Sequence, residues 1–144
     1  MNDDAQYENV TYNNTVSFIP QITRGKVIKV YDGDTITVAA KLPFIDSPIY
    51  RFTVRLTGID SPEIRTSNVN EKKHAIISRD ALNEFIGNRM VEIKNVSTEK
   101  YGRILADIYY EGVFVNQWMV EQGYAVAYDG GTKTRDKSWD MEVV

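Results

Sequence analysis

From Lys26 to Tyr110 the chain alternates apolar and polar positions in short runs, punctuated by Gly, Pro, Asn and Asp. Lys26–Tyr31 is predicted as a strand that ends at an Asp32-Gly33 turn. Ile36, Val38 and Ala40 alternate with Thr35, Thr37 and Ala39 in a second strand. A long connection from Leu42 to Tyr50, carrying Pro43 and Pro48, leads to a third strand over Arg51–Thr57. There Phe52, Val54 and Leu56 take one face and Arg51, Thr53 and Arg55 the other, so Arg55 points away from the core. The period then lengthens. Ile77, Ala81, Leu82, Phe85 and Ile86 form a stripe that predicts a helix over Glu71–Asn88, with Asn68 or Asn70 at its start and Gly87 at its end. Two more strands are predicted over Met90–Val96 and Ile104–Tyr110. A second helix over Val115–Gln122 follows, closed by Gly123, with Phe114, Trp118 and Met119 on one face as core.

The predicted order β-β-β-α-β-β-α is mainly β with helices, an α+β chain. It fits a five-stranded Greek-key barrel of the OB type with two main helices. A chain of 144 residues is long enough for one domain that buries about 68–70% of its unfolded surface. Residues 1–22 lack periodicity and read as a flexible acidic arm, in which Val16–Ile19 offers a short strand or a clasp ended by Pro20. Residues 23–130 are the barrel domain. Residues 131–144 are a polar tail, with a final helical turn expected from Trp139 onward.

Charge changes the picture only locally. The formal net charge is −3. Three of the 20 acidic residues and none of the 17 basic ones lie in the arm, so residues 23–144 balance at 17 of each. A cationic groove must then be built from a few side chains, and bulk electrostatics will not give high affinity for nucleic acid. The absence of cysteine excludes disulfides and thiolate metal sites. With no apolar leader and no run that could span a bilayer, a soluble intracellular protein without membrane partners is expected; secretion stays open had a signal peptide been removed. A monomer is expected.

Polar clusters interrupt the strands at four places. They are Asp32-Gly33-Asp34-Thr35; Arg55 with Asp60-Ser61-Pro62-Glu63; Glu99-Lys100-Tyr101-Gly102-Arg103; and Tyr124–Tyr128 after the second helix. Pro62 removes a ladder donor and biases Ser61 away from helix, so Asp60, Ser61 and Glu63 sit on a stiff turn past a strand end. If the barrel closes, Asp34 and Asp60 meet at one mouth. Two carboxylates at close range require a cation. Oxygen donors suit a hard one, and Ca²⁺ tolerates loose geometry, with the Ser61 carbonyl as a third ligand. The spacing of Asp32-Gly33-Asp34 does not continue as an EF-hand loop. Glu63 is then placed to orient a water or take its proton. Arg55 and Arg103 offer planar forks that match phosphate oxygens. The bland alternatives are a plain turn for Asp34 and a surface ion pair with Glu99 or Asp107 for Arg103. Tyr128 can stack on a base, whereas Tyr124 reads as core and His74 as a solvent-exposed residue, neither base nor zinc ligand.

Taken in order, these pieces make the chain resemble a staphylococcal-nuclease-type (thermonuclease) domain from about Gly25 to Tyr128. The resemblance rests on Val27-Ile28-Lys29-Val30 before Asp-Gly-Asp-Thr, Arg55 five residues before Asp60-Ser61-Pro62-Glu63, Lys100-Tyr101-Gly102-Arg103, and Val115-Asn116 opening a helix that ends at Gly123. It implies a Ca²⁺-dependent nuclease that hydrolyses DNA and RNA, single strands favoured, with little sequence preference and with 3′-phosphate and 5′-hydroxyl products. It implies Asp34, Asp60 and Ser61 at the metal, Arg55, Glu63 and Arg103 in catalysis, and Lys100 and Tyr101 on a flanking phosphate. Ser61 stands where the best-known member has Thr, the hairpin before Arg51 is longer, and the long third helix of the family is short or absent here. The alternative within the same fold is a non-catalytic module that binds nucleic acid or protein, and a structural calcium-binding β-domain is a third reading.

Overall fold

A computed structural model describes residues 3–99, 102–131 and 135–143. The strands are β1 (Arg24–Val30), β2 (Thr35–Lys41), β3 (Ile49–Leu56), β4 (Ile59–Asp60), β5 (Met90–Thr98), β6 (Ile104–Tyr110), β7 (Val113–Phe114) and β8 (Val126–Ala127). The helices are α1 (Val69–Ile86), between β4 and β5, and α2 (Val115–Glu121), between β7 and β8. β1, β2 and β3 form the expected meander, with Thr35 opposite Arg55 and Ala39 opposite Arg51. β5 joins β1 and β6 joins β5, both antiparallel. A parallel pairing of Val54–Leu56 with Ile104–Ala106 then closes the barrel. The architecture is the five-stranded OB-type barrel with two main helices.

The alternation read from the sequence becomes burial. Ile36, Val38, Val54 and Leu56 are fully buried, Phe52 is half-buried, and Arg55 lies on the outer face. Three short strands escape the periodicity. β7 folds back on β6, while β4 and β8 pair with each other, Ile59 opposite Ala127 and Asp60 opposite Val126. Asp60 therefore sits inside a two-residue strand, not past the end of one. Two residues carry no pattern, so only the tertiary partner reveals such a strand.

The face of α1 differs from its apolar stripe. Glu71, Ala75, Ser78, Leu82 and Ile86 are buried, whereas Ile77 is exposed. Two polar residues on the buried face hide it from a hydrophobic reading. Asn68 is the N-cap, its Oδ1 accepting from the Glu71 N–H at 2.9 Å. Gly87 is at the C-cap position with φ −59°, and the left-handed residue is Asn88 at φ 59°. Val16 and Phe18 are exposed and form no strand; Ile22 enters the core. Trp139 is buried within a 3-10 turn over Lys137–Asp140.

Candidate active site

Gly33 makes the first approach possible. A Cβ there would lie 2.9 Å from the Cβ atoms of both Ser61 and Ser78. Its absence lets the β1–β2 turn press against the loop after β4 and against α1. The Asp32 carboxylate accepts the Asp34 N–H at 3.0 Å and holds the turn in shape. Asp34 in turn accepts from the Thr35 hydroxyl at 2.7 Å and from the Ser61 N–H at 3.1 Å. The Leu56 N–H donates to the Asp34 carbonyl at 2.8 Å. Asp34 is thus fixed to β3 and to the β4 loop by backbone groups, which the ladder alone already positions.

Arg55 completes this centre. Its Nη1 donates to the Ile59 carbonyl at 3.0 Å and lies 3.7 Å from Asp34 Oδ2, while Nη2 lies 3.6 Å from Asp60 Oδ1. The guanidinium carbon is 5.8 Å from the centre of the Tyr128 ring. Tyr128 is half-buried, donating its N–H to the Gly58 carbonyl and its hydroxyl to the Gly131 carbonyl. Gly58, at φ +81°, makes the turn between β3 and β4 that brings Asp60 back beside Arg55.

One cleft of about 410 Å³ opens over this centre. Asp34, Arg55, Glu63 and Arg103 line it, together with Asp32, Lys29, Tyr31, Thr35, Thr37 and Thr53. Asp60 and Ser61 lie behind the wall, almost fully buried. Arg103 pairs with Glu99, the surface partner foreseen for it, while Asp107 instead accepts from Asn95 at 2.8 Å. Lys100 and Tyr101 lie outside the described residues. Tyr124 packs at the core edge, its ring 5.8 Å from that of Trp118. His74 is half-buried rather than solvent-exposed, with Nε2 2.9 Å from the Met141 carbonyl.

Asp32 is the site residue that a turn reading misses. It is buried beside Asp34 on the cleft wall. Burial and the neighbouring Asp34 charge push its carboxyl up to about 8. Burial also disfavours the Asp34 carboxylate, but hydrogen bonds from Asp32, Thr35 and Ser61 and the Arg55 charge outweigh it and hold Asp34 below the usual range. The second Asp of Asp-Gly-Asp carries the obvious signal; the first shows itself only when both prove buried.

The donor set fits a hard cation in part. Two buried carboxylates, peptide oxygens and a buried Ser61 hydroxyl without a hydrogen-bond partner among the described residues are the oxygen ligands such an ion takes. Among the described residues no three carboxylate or imidazole side chains form a ready cage, so water and backbone must complete the coordination.

The family model described as "Staphylococcal nuclease homologue" matches residues 53–142, more than half of the chain. The chain belongs to that family. Relatives of this chain include an "Uncharacterized endonuclease" of Escherichia coli, 31% identical over 106 residues, which cover 73% of this chain and 61% of that protein. A "Probable staphylococcal-like nuclease CAN3" of rice is 32% identical over 97 residues, 64% of this chain and 23% of that protein. "Staphylococcal-like nuclease CAN1" of Arabidopsis thaliana is 34% identical over 82 residues, 55% and 24% of the two chains. The match thus spans about three fifths of the bacterial relative and about a quarter of the plant ones. Among the described residues no helix is long and apolar enough to cross a membrane.

Proposed function

We propose that this chain is a metal-dependent nuclease that hydrolyses phosphodiester bonds in DNA and RNA, with Ca²⁺ as its ion. The observation that carries the reading is the convergence of Asp34, Arg55, Glu63 and Arg103 on one open cleft. Asp34, Asp60 and the Ser61 carbonyl would hold the ion. Bound there, Ca²⁺ would supply positive charge against the scissile phosphate and lower the proton affinity of a coordinated water. Glu63, exposed on the rim, would orient the attacking water and receive its proton. Arg103 presents its fork to the phosphate oxygens, exchanging its half-buried partner Glu99 for a substrate anion. Arg55 is already engaged with both acids. As substrate charge builds it shares its remaining donors with the phosphate, stabilising the transition state more than the ground state. Tyr128, against Arg55, offers a ring face for a flanking base, which favours single strands. Lys100 and Tyr101 take the adjoining phosphate by resemblance, and the same resemblance gives 3′-phosphate and 5′-hydroxyl products.

The test is cleavage of a fluorescent single-stranded DNA by wild type and Glu63→Gln, each with Ca²⁺ and with excess chelator. Cleavage only by wild type with Ca²⁺ is expected. Equal cleavage by both proteins removes Glu63 from the mechanism. Binding of the oligonucleotide by folded protein without cleavage would instead identify a nucleic-acid-binding module.

A further inference from the structure

Glu71 is a carboxylate buried to 3% exposure at the start of α1, outside every motif of the cleft. A charge so placed is costly unless it is paired and hydrogen-bonded. Its two oxygens face different parts of the chain. Oε2 accepts the Glu63 N–H at 2.9 Å, and Oε1 accepts from Arg135 Nε in the C-terminal segment. Arg135 also reaches Asp140 Oδ1 at 2.8 Å. The same segment is fastened to α1 by Asn68 Nδ2 on Asp140 Oδ1 at 2.8 Å and Asn70 Nδ2 on the Asp140 carbonyl at 3.0 Å. His74 and the buried Trp139 complete the attachment.

We infer that residues 135–141 form a strap that acts through Glu71 to set the position of Glu63, making Glu71 and Arg135 positioning residues of the cleft. The physical reason lies in the loop between Pro62 and Asn68, which forms no helix or strand. Pro62 has no N–H, so the Glu63 amide is the first donor available after Ser61 to pin that loop. A carboxylate with both oxygens in use has one preferred place. With Arg135 removed, Glu71 would be a buried charge lacking its cation and would turn toward water, taking the Glu63 amide with it. A general base displaced by an ångström loses much of its effect. The inference deepens the nuclease reading and rests on it for the role of Glu63; the Glu71 link itself does not.

The experiment uses the full chain as wild type, Arg135→Ala, Arg135→Lys and Glu71→Gln, well below their melting temperatures. Two readouts are steady-state cleavage of the fluorescent oligonucleotide with Ca²⁺ and hydrogen exchange of the Glu63 amide by NMR. Arg135→Ala is expected to lower kcat by about tenfold or more while KM stays within about twofold. The Glu63 amide should exchange faster. Arg135→Lys should recover part of kcat, since one point charge can serve Glu71 but not Asp140 as well. Glu71→Gln keeps an acceptor for the Glu63 amide but loses the ion pair, and should fall between wild type and Arg135→Ala. A lower melting temperature with unchanged kcat and unchanged Glu63 exchange would mean that the strap only stabilises the fold, and would overturn the inference. If wild type does not cleave at all, the nuclease reading fails, and the amide then decides alone: unchanged exchange in Arg135→Ala overturns the strap, faster exchange upholds it.

Discussion

At the scale of single residues, the two arginines of the cleft are used differently. Arg55 is half-buried and bound to the Ile59 carbonyl and two acids, so it acts as their internal counter-charge. Among the described residues Arg103 is held by one partner, the half-buried Glu99, while its own side chain stays largely open to solvent, and so open a pair contributes little to stability. Arg103→Lys is therefore expected to leave the melting temperature nearly unchanged and to lower kcat by about tenfold to a hundredfold, because a point charge cannot replace the planar fork. Parallel melts and single-turnover cleavage check both halves, and turnover near that of wild type would remove Arg103 from the phosphate. Asp32, by contrast, cannot be changed so lightly, since it shapes the turn that presents Asp34.

At the scale of elements, α2 is held by the buried Val115 and Met119 and by one polar side chain. Asn116 is buried; its Oδ1 accepts from the Ile108 N–H at 3.0 Å, and its Nδ2 donates to the carbonyls of Thr57 at 2.9 Å and Ala106 at 3.2 Å. It ties β3, β6 and α2 together where the parallel pairing closes the barrel. Asn116→Ala leaves buried backbone groups unpaired and should cost about 2–4 kcal/mol in urea unfolding. A loss below about 1 kcal/mol would mean that the β3–β6 closure holds without it. Val115-Asn116 reads in the sequence as the opening of a helix; why an amide is needed there lies in the backbone groups it bridges.

At the scale of the whole molecule, the site joins distant parts of the chain. Asp34 comes from the first turn, Asp60 from β4, Arg103 from the β5–β6 connection, and Glu71, which accepts the Glu63 N–H, from α1 with Arg135 of the C-terminal segment behind it. An ion binding Asp34 and Asp60 therefore favours the closed barrel over the unfolded chain. With Ca²⁺ at about a hundred times its Kd, the fold should gain about 2.7 kcal/mol. Thermal melts with Ca²⁺ and with chelator measure this, and Asp34→Asn should abolish most of the gain. A melting temperature indifferent to Ca²⁺ in wild type would count against these two carboxylates as its ligands.

The long elements and the chemistry on offer are written locally in the chain. Period-two alternation in β1 to β3 and the helical run of α1 are local patterns, and burial followed them at Ile36, Val38, Val54 and Leu56. Asp34, Arg55, Glu63 and Arg103 were legible as candidates because charged groups at strand ends and turns stand out against that alternation. What each of them touches depends on the folded chain. β4 and β8 are too short to carry a period, and the polar residues Glu71 and Ser78 face inward because distant groups satisfy them: Arg135 and the Glu63 amide for one, the Tyr124 carbonyl for the other. A buried polar group is stabilised by partners far away in the chain, so a local pattern cannot announce it; closure of the barrel brings those partners together.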